Sequence, residues 1–519
     1  MFNKVKAIIF LLLSFTLSIT AQDTTWVRIF DINENMVAKN VIESYDYGYI
    51  IGGNTKPATG QSGNIKNGII IKTDINGIEL WRKTIGETDD NGTGGIIVNQ
   101  TNDGGLLLFG STYKYGTSDV FLMKLNACGE KLWNKVFISE FQSQYTKDIV
   151  IMNDGTYLLL LSYWGNDPIN KRIWIFRVSP SGNILWQKIY ADWKPSANNE
   201  ECKQLIQFNN EYLITGKYYE YQPGYDTNIR FRRPMFIKLD SVGNEIWHTL
   251  WGIDDFYVGW QAKSVFDSRG FIYSVGKNET IDLIDDMPVL HKLSPNGLQL
   301  YQTNIEELSK AGGATTISAL HDTTLFIGAT WEDHQGELHN VVYKTDTLGN
   351  ILLQKEVLQE DNSFNESIIT YDYKLVMVGS FYTNDSWNIY LFKFNQDLDY
   401  DSVYTQFFRY DSLCPYQIVS DTISLDTTTV NLEELYAALY DVKTYPNPAN
   451  SNITIDIGDQ LELIRLDIIA STGEVAKTVK LDINQRHIEL DIHSLSKGVY
   501  LVRFLKTDGS SIVKKIIIR

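Results

Sequence analysis

Cysteine is nearly absent from this chain: Cys128, Cys202 and Cys414 are all there is in 519 residues. Their spacing fits no zinc-ligand pattern, and three thiols exclude a dense disulfide framework. One bridge can form in an oxidising compartment, leaving one thiol over; the spacing does not say which. Basic residues are outnumbered, 46 Lys and Arg against 63 Asp and Glu, for a net charge of −17. Residues 22–441 alone carry −21. So acidic a body repels phosphate backbones and anionic lipid headgroups, which excludes nucleic acid as an expected partner; otherwise the charge serves solubility. The motifs of nucleophilic catalysis are missing too. There is no Gly-x-Ser-x-Gly elbow, no convincing Ser/His/Asp or Cys/His set and no phosphate loop, so no catalytic residue is assigned.

Apolar runs are short. Lys4 and Lys6 precede the stretch 7–19, and Ala21 stands before Gln22 as a cleavage position. Residues 1–21 read as a secretory signal peptide, too short and wrongly flanked for a permanent transmembrane helix. No transmembrane segment is expected after its removal, and no Cys follows it to carry a lipid.

What the chain has instead is a repeat. Glycines recur in turns at Gly77, Gly129, Gly182, Gly243, Gly297 and Gly349, at intervals of 52, 53, 61, 54 and 52 residues. Each lies between two apolar strands, and the second commonly carries a Trp (Trp81, Trp133, Trp186, Trp247). In the second unit four strands are predicted: 96–100, 106–112, 120–125 and 131–136. We label them A to D. The A–B turn is Asn102-Asp103-Gly104-Gly105, and such residues tolerate positive φ. Strand B ends at Gly53, Gly110, Leu161, Gly216, Gly276, Gly328 and Gly379, which counts seven units. Seven four-stranded units in a ring make a β-propeller, each blade burying its neighbours' faces. The fold class is therefore all-β, with the propeller over residues 22–415. The Trp of strand D is expected to pack between blades. Unit seven lacks a strand D, while Thr25-Trp26-Val27-Arg28-Ile29-Phe30 is an orphan one, so the N-terminal strand is expected to close the ring; 402–408 is the competing segment.

Residues 416–441 have five acidic side chains and no basic one, and read as a linker, partly extended. Residues 442–519 alternate again as strands of a small β-sandwich. Tyr445-Pro446-Asn447-Pro448-Ala449 opens this segment, and Ser471-Thr472-Gly473-Glu474-Val475 sits in its middle. Gly498-Val499-Tyr500-Leu501-Val502 follows, and Lys514-Lys515-Ile516 closes it. In order, spacing and position the segment resembles the type A C-terminal sorting domain of type IX secretion. The resemblance implies periplasmic export, recognition of the folded domain by the type IX secretion machinery and passage across the outer membrane. Removal of the tag, with release or surface attachment, would follow. Tyr445, Pro446, Asn447, Pro448, Gly473, Gly498, Tyr500, Lys514 and Lys515 would be the sorting signal. The expected location is secreted or cell-surface.

Asp74-Ile75-Asn76-Gly77-Ile78-Glu79-Leu80-Trp81 is similar to the tryptophan-docking repeat of pyrroloquinoline-quinone dehydrogenases. Those propellers typically have another blade, and many have an adjacent cysteine pair. Here Trp is read as packing and no cofactor is expected. The stretch 332–339 gathers Glu332, Asp333, His334, Glu337 and His339, but not at His-Glu-x-x-His spacing. It is read as a polar loop, and no metal is assigned. Asp397 to Asp401 is half a calcium-loop pattern without the Gly and Glu that complete it, and is read as a turn.

Three residues past the end of strand B, five of the seven units carry an aromatic: Tyr113, Trp164, Tyr219, Trp331 and Tyr382. Equivalent positions in successive blades form a ring, which makes these the candidate ligand-binding residues for a glycan or extracellular protein. The alternative is that each ring caps its own hairpin. The D–A connections on the same face carry Glu87, Asp89, Asp90, Glu200, Glu201, Asp254, Asp255, Glu306 and Glu307, as solvated loops or as a cation-holding mouth. The expected function is a non-catalytic, adhesin-like binding module. The alternatives are a hydrolase or lyase on extracellular polymer, or a structural surface protein.

Overall fold

The computed structural model describes residues 26–30, 35–56, 67–86, 92–138, 143–164, 171–191, 201–220, 231–251, 258–279, 286–305, 311–358, 362–383, 386–431, 441–458, 461–507 and 509–519. The predicted signal peptide lies outside them. Among them seven antiparallel sheets repeat the order A-B-C-D, forming a seven-bladed β-propeller. The A strands are Asn35–Glu43, Thr93–Gln100, Ser143–Ile151, Glu201–Phe208, Val258–Phe266, Ala311–Leu320 and Asn362–Ile369. Each approaches the A strand of the next blade, and the last approaches the first, so the A strands line a closed ring around the axis.

Ring closure is made by the N-terminus. Val27–Phe30 pairs antiparallel with Ser386–Phe394, the C strand of blade 7, and takes the D position there. Residues 402–408 form no strand; Tyr404 instead crosses to the C–D turn of blade 1, where its N–H donates to Asn76 Oδ1 at 2.8 Å.

Hydrophobic burial is organised between blades rather than within them. One apolar cluster joins blades 7 and 1 through Trp26, Ile51, Ile71 and Val378. Others join blades 2 and 3, 3 and 4, 5 and 6, and 6 and 7. A single blade therefore has no core of its own. The strand-D tryptophans act as staples in this scheme. A Cβ added at Gly182, Gly243 or Gly297 would lie 2.9, 2.6 and 2.6 Å from Trp133, Trp186 and Trp247 of the preceding blade. Trp26 reaches Gly77 in the same way, confirming its strand-D role. The turns themselves are set by side chains: Asp74 Oδ1 accepts the N–H groups of Asn76 and Ile78 at 2.9 and 2.7 Å. Asn126, Asp240, Asp346 and Asn395 repeat the arrangement. The Asp397–Asp401 segment thus begins in the turn that follows strand C of blade 7.

The acidic segment read as a linker is in part sheet. Asp421–Ile423 adds in parallel to Glu79–Ile85 of blade 1, and Thr429–Asn431 to Lys131–Ile138 of blade 2. These short strands cover two outer edges that would otherwise present unpaired backbone. Cys414, Ile418, Ile423 and Leu425 enter the apolar cluster between blades 1 and 2. Cys414 is bonded to Cys128, 286 residues earlier, and Cys202 is the buried free thiol.

The C-terminal residues form a three-stranded and a four-stranded sheet around one core, with Ile453, Ile455, Leu466, Val502, Phe504 and Ile516 buried. No helix among the described residues is long and apolar enough to cross a membrane.

Candidate functional site

Every A strand breaks register against its B strand at the same level. The irregularity falls at Lys39, Gly95–Ile96, Lys147, Lys203, Ala262, Thr315 and Asn365. A bulge sets extra residues against one partner and re-aims the side chains. Seven of them around the axis shape the channel wall. The residue after the bulge then brackets the next blade. Asn40 accepts the Val98 N–H at 3.0 Å and donates to the Val98 carbonyl at 2.8 Å. Asp148 accepts the Leu205 N–H at 2.9 Å, and Gln204 the Ser264 N–H at 2.6 Å.

At this level lies a cavity of about 370 Å³ with walls from six blades. Lys39, Lys147, Lys203 and Lys263 line it, with Asp148, Glu366, Tyr145 and, from the B–C hairpin of blade 2, Tyr113. Because B–C hairpins and the first halves of A strands bound it, the cavity lies toward the face of the B–C and D–A connections. Its charges are ordered. Glu201 receives Lys147, Lys203 and Lys217 at 3.2, 2.8 and 2.8 Å. Burial works against the Glu201 charge, but Lys147 and Lys203 hold its carboxyl far below the usual range. Lys263 of blade 5 pairs with Glu366 of blade 7 at 2.8 Å. Burial opposes that ammonium, yet Glu366 and Asp148 keep its pKa above the ordinary value. Asp148 moves the other way: burial pushes its carboxyl up to about 6, against the pull of Lys263 and two backbone N–H groups.

The five aromatic positions do not share one environment. Tyr113 is half-buried in the cavity wall. Trp331 donates its Nε1–H to the Tyr343 hydroxyl at 3.1 Å and stacks on His339, with centroids 4.2 Å apart. Tyr382 packs on its cross-strand partner Trp387 at 5.6 Å. These two cap their own hairpins. The side chains of Trp164 and Tyr219 lie outside the described residues. Of the acidic D–A residues, Glu201 is described and is neutralised by its lysines; Glu87, Asp89, Asp90, Glu200, Asp254, Asp255, Glu306 and Glu307 lie outside the described residues.

In the polar loop of blade 6, Asp333, Glu337 and His339 bring one ligand atom each within 4.8 Å of one another. Asp333 Oδ1 already accepts the N–H groups of Gln335 and Glu337 at 2.9 and 2.8 Å, and His339 Nδ1 meets Glu356 at 2.9 Å. Turn chemistry and a cross-strand pair account for the cluster. His291 is a core residue: burial pushes its imidazole down to about 3, and Nε2 lies 3.0 Å from Gln302 Oε1.

The channel lysines went unassigned from sequence. Their signal is a small repeat inside strand A: Lys39-Asn40-Val41, Lys147-Asp148-Ile149 and Lys203-Gln204-Leu205. It reads as a bland polar–apolar alternation until the bulges place it at one level of the ring.

Of the residues expected as the sorting signal, Asn447 and Lys515 are brought into contact. Asn447 donates to the Lys515 carbonyl at 2.8 Å and accepts the Ile517 N–H at 2.9 Å. Pro446 and Pro448 flank it. Tyr445 donates to Asp456 at 2.6 Å, and Tyr500 to the Ser496 carbonyl at 2.9 Å. Gly473 takes φ 88° in its turn, Gly498 opens a strand of the four-stranded sheet, and Lys514 pairs with Asp441 at 2.6 Å. Lys515 stays exposed. The opening motif is thereby clamped to the last strand.

Fold and site define a β-propeller with a lysine-lined polar channel. Residues 443–519 match the family described as secretion system C-terminal sorting domain. The protein carries the export tag of type IX secretion and is delivered to the cell surface or extracellular space. No curated protein matches the chain. Among solved structures it is similar to a protein of unknown function from Dyadobacter fermentans, with TM-score 0.43, 9% identity, and 70% of this chain and 96% of that chain covered. Drosophila Semaphorin 1a, extracellular domains 1-2, gives TM-score 0.42, 12% identity and coverage of 70% and 87%. The alpha-L-arabinofuranosidase ARB93A from Fusarium graminearum gives TM-score 0.40, 9% identity and coverage of 72% and 99%.

Proposed function

We propose that this protein is a non-catalytic recognition module, adhesin-like, that binds an extracellular glycan or protein at the B–C-loop end of its channel. The observation that carries the reading is the cavity itself: a polar, part-aromatic recess built jointly by six blades, with Tyr113 in its wall. Convergent polar groups around a recess are the ordinary form of a ligand site. In this reading Tyr113, Trp164, Tyr219, Trp331 and Tyr382 are the ligand-binding aromatics, and the support comes from Tyr113, which lines the cavity. Binding of the full chain to a glycan and matrix-protein array tests it, with Tyr113→Ala and Trp331→Ala for comparison. Tyr113→Ala is expected to lose at least about tenfold in affinity, or about 1.4 kcal/mol. Trp331→Ala reports on the ring outside the cavity. An array on which the folded wild type binds nothing would overturn the reading.

A second reading, a polymer-active hydrolase or lyase, is favoured by one observation. Asp148 is a carboxyl raised to about 6 in a cavity wall, as a general acid would be. Against it, Asp148 occupies the bracket position that Asn40 and Gln204 fill in other blades. Turnover of any extracellular polysaccharide that Asp148→Asn abolishes without unfolding the protein would establish the enzyme.

A further inference from the structure

We infer that the face of the A–B and C–D turns, opposite the channel cavity, docks a cationic protein segment rich in arginine and lysine. The inference goes beyond the recognition reading and does not rest on it. In an antiparallel blade of order A-B-C-D these two turns fall at the same end, so they share one face of the ring. The turns of that face all lie among the described residues.

Across blades 7 and 1 this face is aromatic. Tyr45 and Tyr47 stand on the A–B turn of blade 1, Tyr371 and Tyr373 on that of blade 7, and all four are exposed. The strap after blade 7 adds Phe407, 88% exposed. The rings form a series: Tyr410, Phe408, Tyr47 and Tyr371 follow one another with centroids 6.3, 5.7 and 6.1 Å apart. Tyr373 extends it toward blade 6, its ring 5.6 Å from His321. Single exposed rings are ordinary, but a contiguous ridge of them marks an interaction surface. The turns themselves do not ask for these rings. Tyr47 and Tyr373 take φ of 65° and 58° at the position where blades 2, 3 and 5 have Gly104, Gly155 and Gly270. Glycine adopts that conformation at no steric cost.

Charge selects the partner. In the ion pairs that tie A–B turns to strand C, outside blade 1, the basic member is largely buried and the acid faces solvent. Asp103 is 63% exposed against 5% for Lys124. Asp154, Glu211 and Asp372 stand outside Arg177, Lys238 and Lys393 in the same sense. In blade 5 the order is reversed, with Asp267 buried and Arg269 exposed. Four blades thus turn the negative end of the pair outward, on a body that carries −21 over residues 22–441. Such a field draws in cations and repels acidic partners. Rings beside carboxylates suit arginine above all, whose guanidinium stacks on an aromatic face and donates to a carboxylate; a lysine stem lies along a ring in the same way. The rings are tilted against one another, by 82° for Tyr47–Tyr371 and 60° for Tyr47–Phe408. They offer notches for side chains rather than the flat platform on which a sugar chain stacks.

Titration calorimetry on the full chain tests this with three probes: deca-arginine, decalysine and neutral cellohexaose. The proteins are wild type, the double variant Y47G/Y373G and Phe407→Ala, each checked by thermal melting. Glycine suits the turn at both positions of the double variant, and Phe407 is too exposed to support the fold. Deca-arginine is expected to bind wild type more tightly than decalysine, and to lose at least about tenfold in the double variant and several-fold in Phe407→Ala. Affinity is expected to fall between about 0.05 and 0.5 M sodium chloride. Deca-arginine affinity unchanged in both folded variants assigns the binding to the general acidic field and overturns the inference, as does no binding to wild type. Cellohexaose bound by wild type and lost in the variants overturns the partner class and makes the ridge a glycan surface. None of these outcomes bears on the cavity at the opposite face, which the array tests.

Discussion

At the residue scale an ion pair built on a largely buried basic residue recurs through the propeller, with its acid buried too in blade 1. The basic residue near the end of strand C pairs with the acid of the A–B turn in the same blade. Lys72 meets Asp46, with both side chains 2% exposed. Lys124–Asp103, Arg177–Asp154, Lys238–Glu211 and Lys393–Asp372 repeat the arrangement at 3.0, 2.5, 2.7 and 3.2 Å. Removing one partner of the blade 1 pair strands the other charge away from water. Asp46→Ala is expected to cost about 3–5 kcal/mol in chemical denaturation. Asp103→Ala, whose acid is exposed, is expected to cost about 1 kcal/mol or less. Asp148 gives a pH signature. Its carboxyl is raised from 3.8 to about 6, so the folded protein holds that proton more tightly than the unfolded chain. Its ionisation opposes folding: the contribution is intact below about pH 4 and is lost as pH rises toward 6. Asp148→Asn is expected to remove that component, so the melting temperatures of variant and wild type draw together, or the variant leads, at pH 8. A variant that melts lower at pH 8 than at pH 4, relative to wild type, refutes the assignment.

Between elements, contact is made by staples and a strap. Gly243 has φ +79° and lies against Trp186 of the preceding blade; any Cβ there meets the ring at 2.6 Å. Gly243→Ala combines a left-handed conformation with a clash and is expected to destabilise by more than about 1 kcal/mol. The strap after blade 7 is held by Cys128–Cys414 and by two short parallel strands. Its apolar residues complete the cluster between blades 1 and 2. Cys414→Ser is expected to cost about 2–5 kcal/mol and to make the strap the first site cut in limited proteolysis. Cys202 does not rescue the bridge: it is buried beside Ser162, and burial raises its thiol to about 11.

For the whole molecule, two closures join distant parts of the chain. Val27–Phe30 completes blade 7, so the ring is shut only when both ends of the propeller sequence are present. Asn447 clamps the start of the sorting domain to its last strand. Asn447→Ala removes both of its hydrogen bonds and is expected to cost about 1–3 kcal/mol. In producing cells the consequence is retention in the periplasm, read by fractionation; undiminished export would show that the clamp is dispensable for sorting.

The repeat made the architecture legible without coordinates, because turn chemistry is local: Asp or Asn followed by Gly sets the same turn wherever it falls. Trp26 ahead of blade 1 announced the ring closure, since an orphan strand D has one vacant place to go. The sorting segment was legible for a similar reason, its motifs being close in sequence and fixed in order. Three features were not. The strap strands lie in a segment whose acidic composition reads as linker, and what makes them sheet is two outer blade edges more than 280 residues earlier. The hairpin capping by Trp331 and Tyr382 depends on cross-strand partners. The channel lysines were hidden because a charge in a strand is ordinarily a solvated one, and only seven register breaks at one height carry four of them into a single cavity. Local rules thus determined the blades, the turns and the export tag. The site was decided by tertiary structure, because charge becomes chemistry only when residues far apart in sequence share one volume from which water is partly excluded.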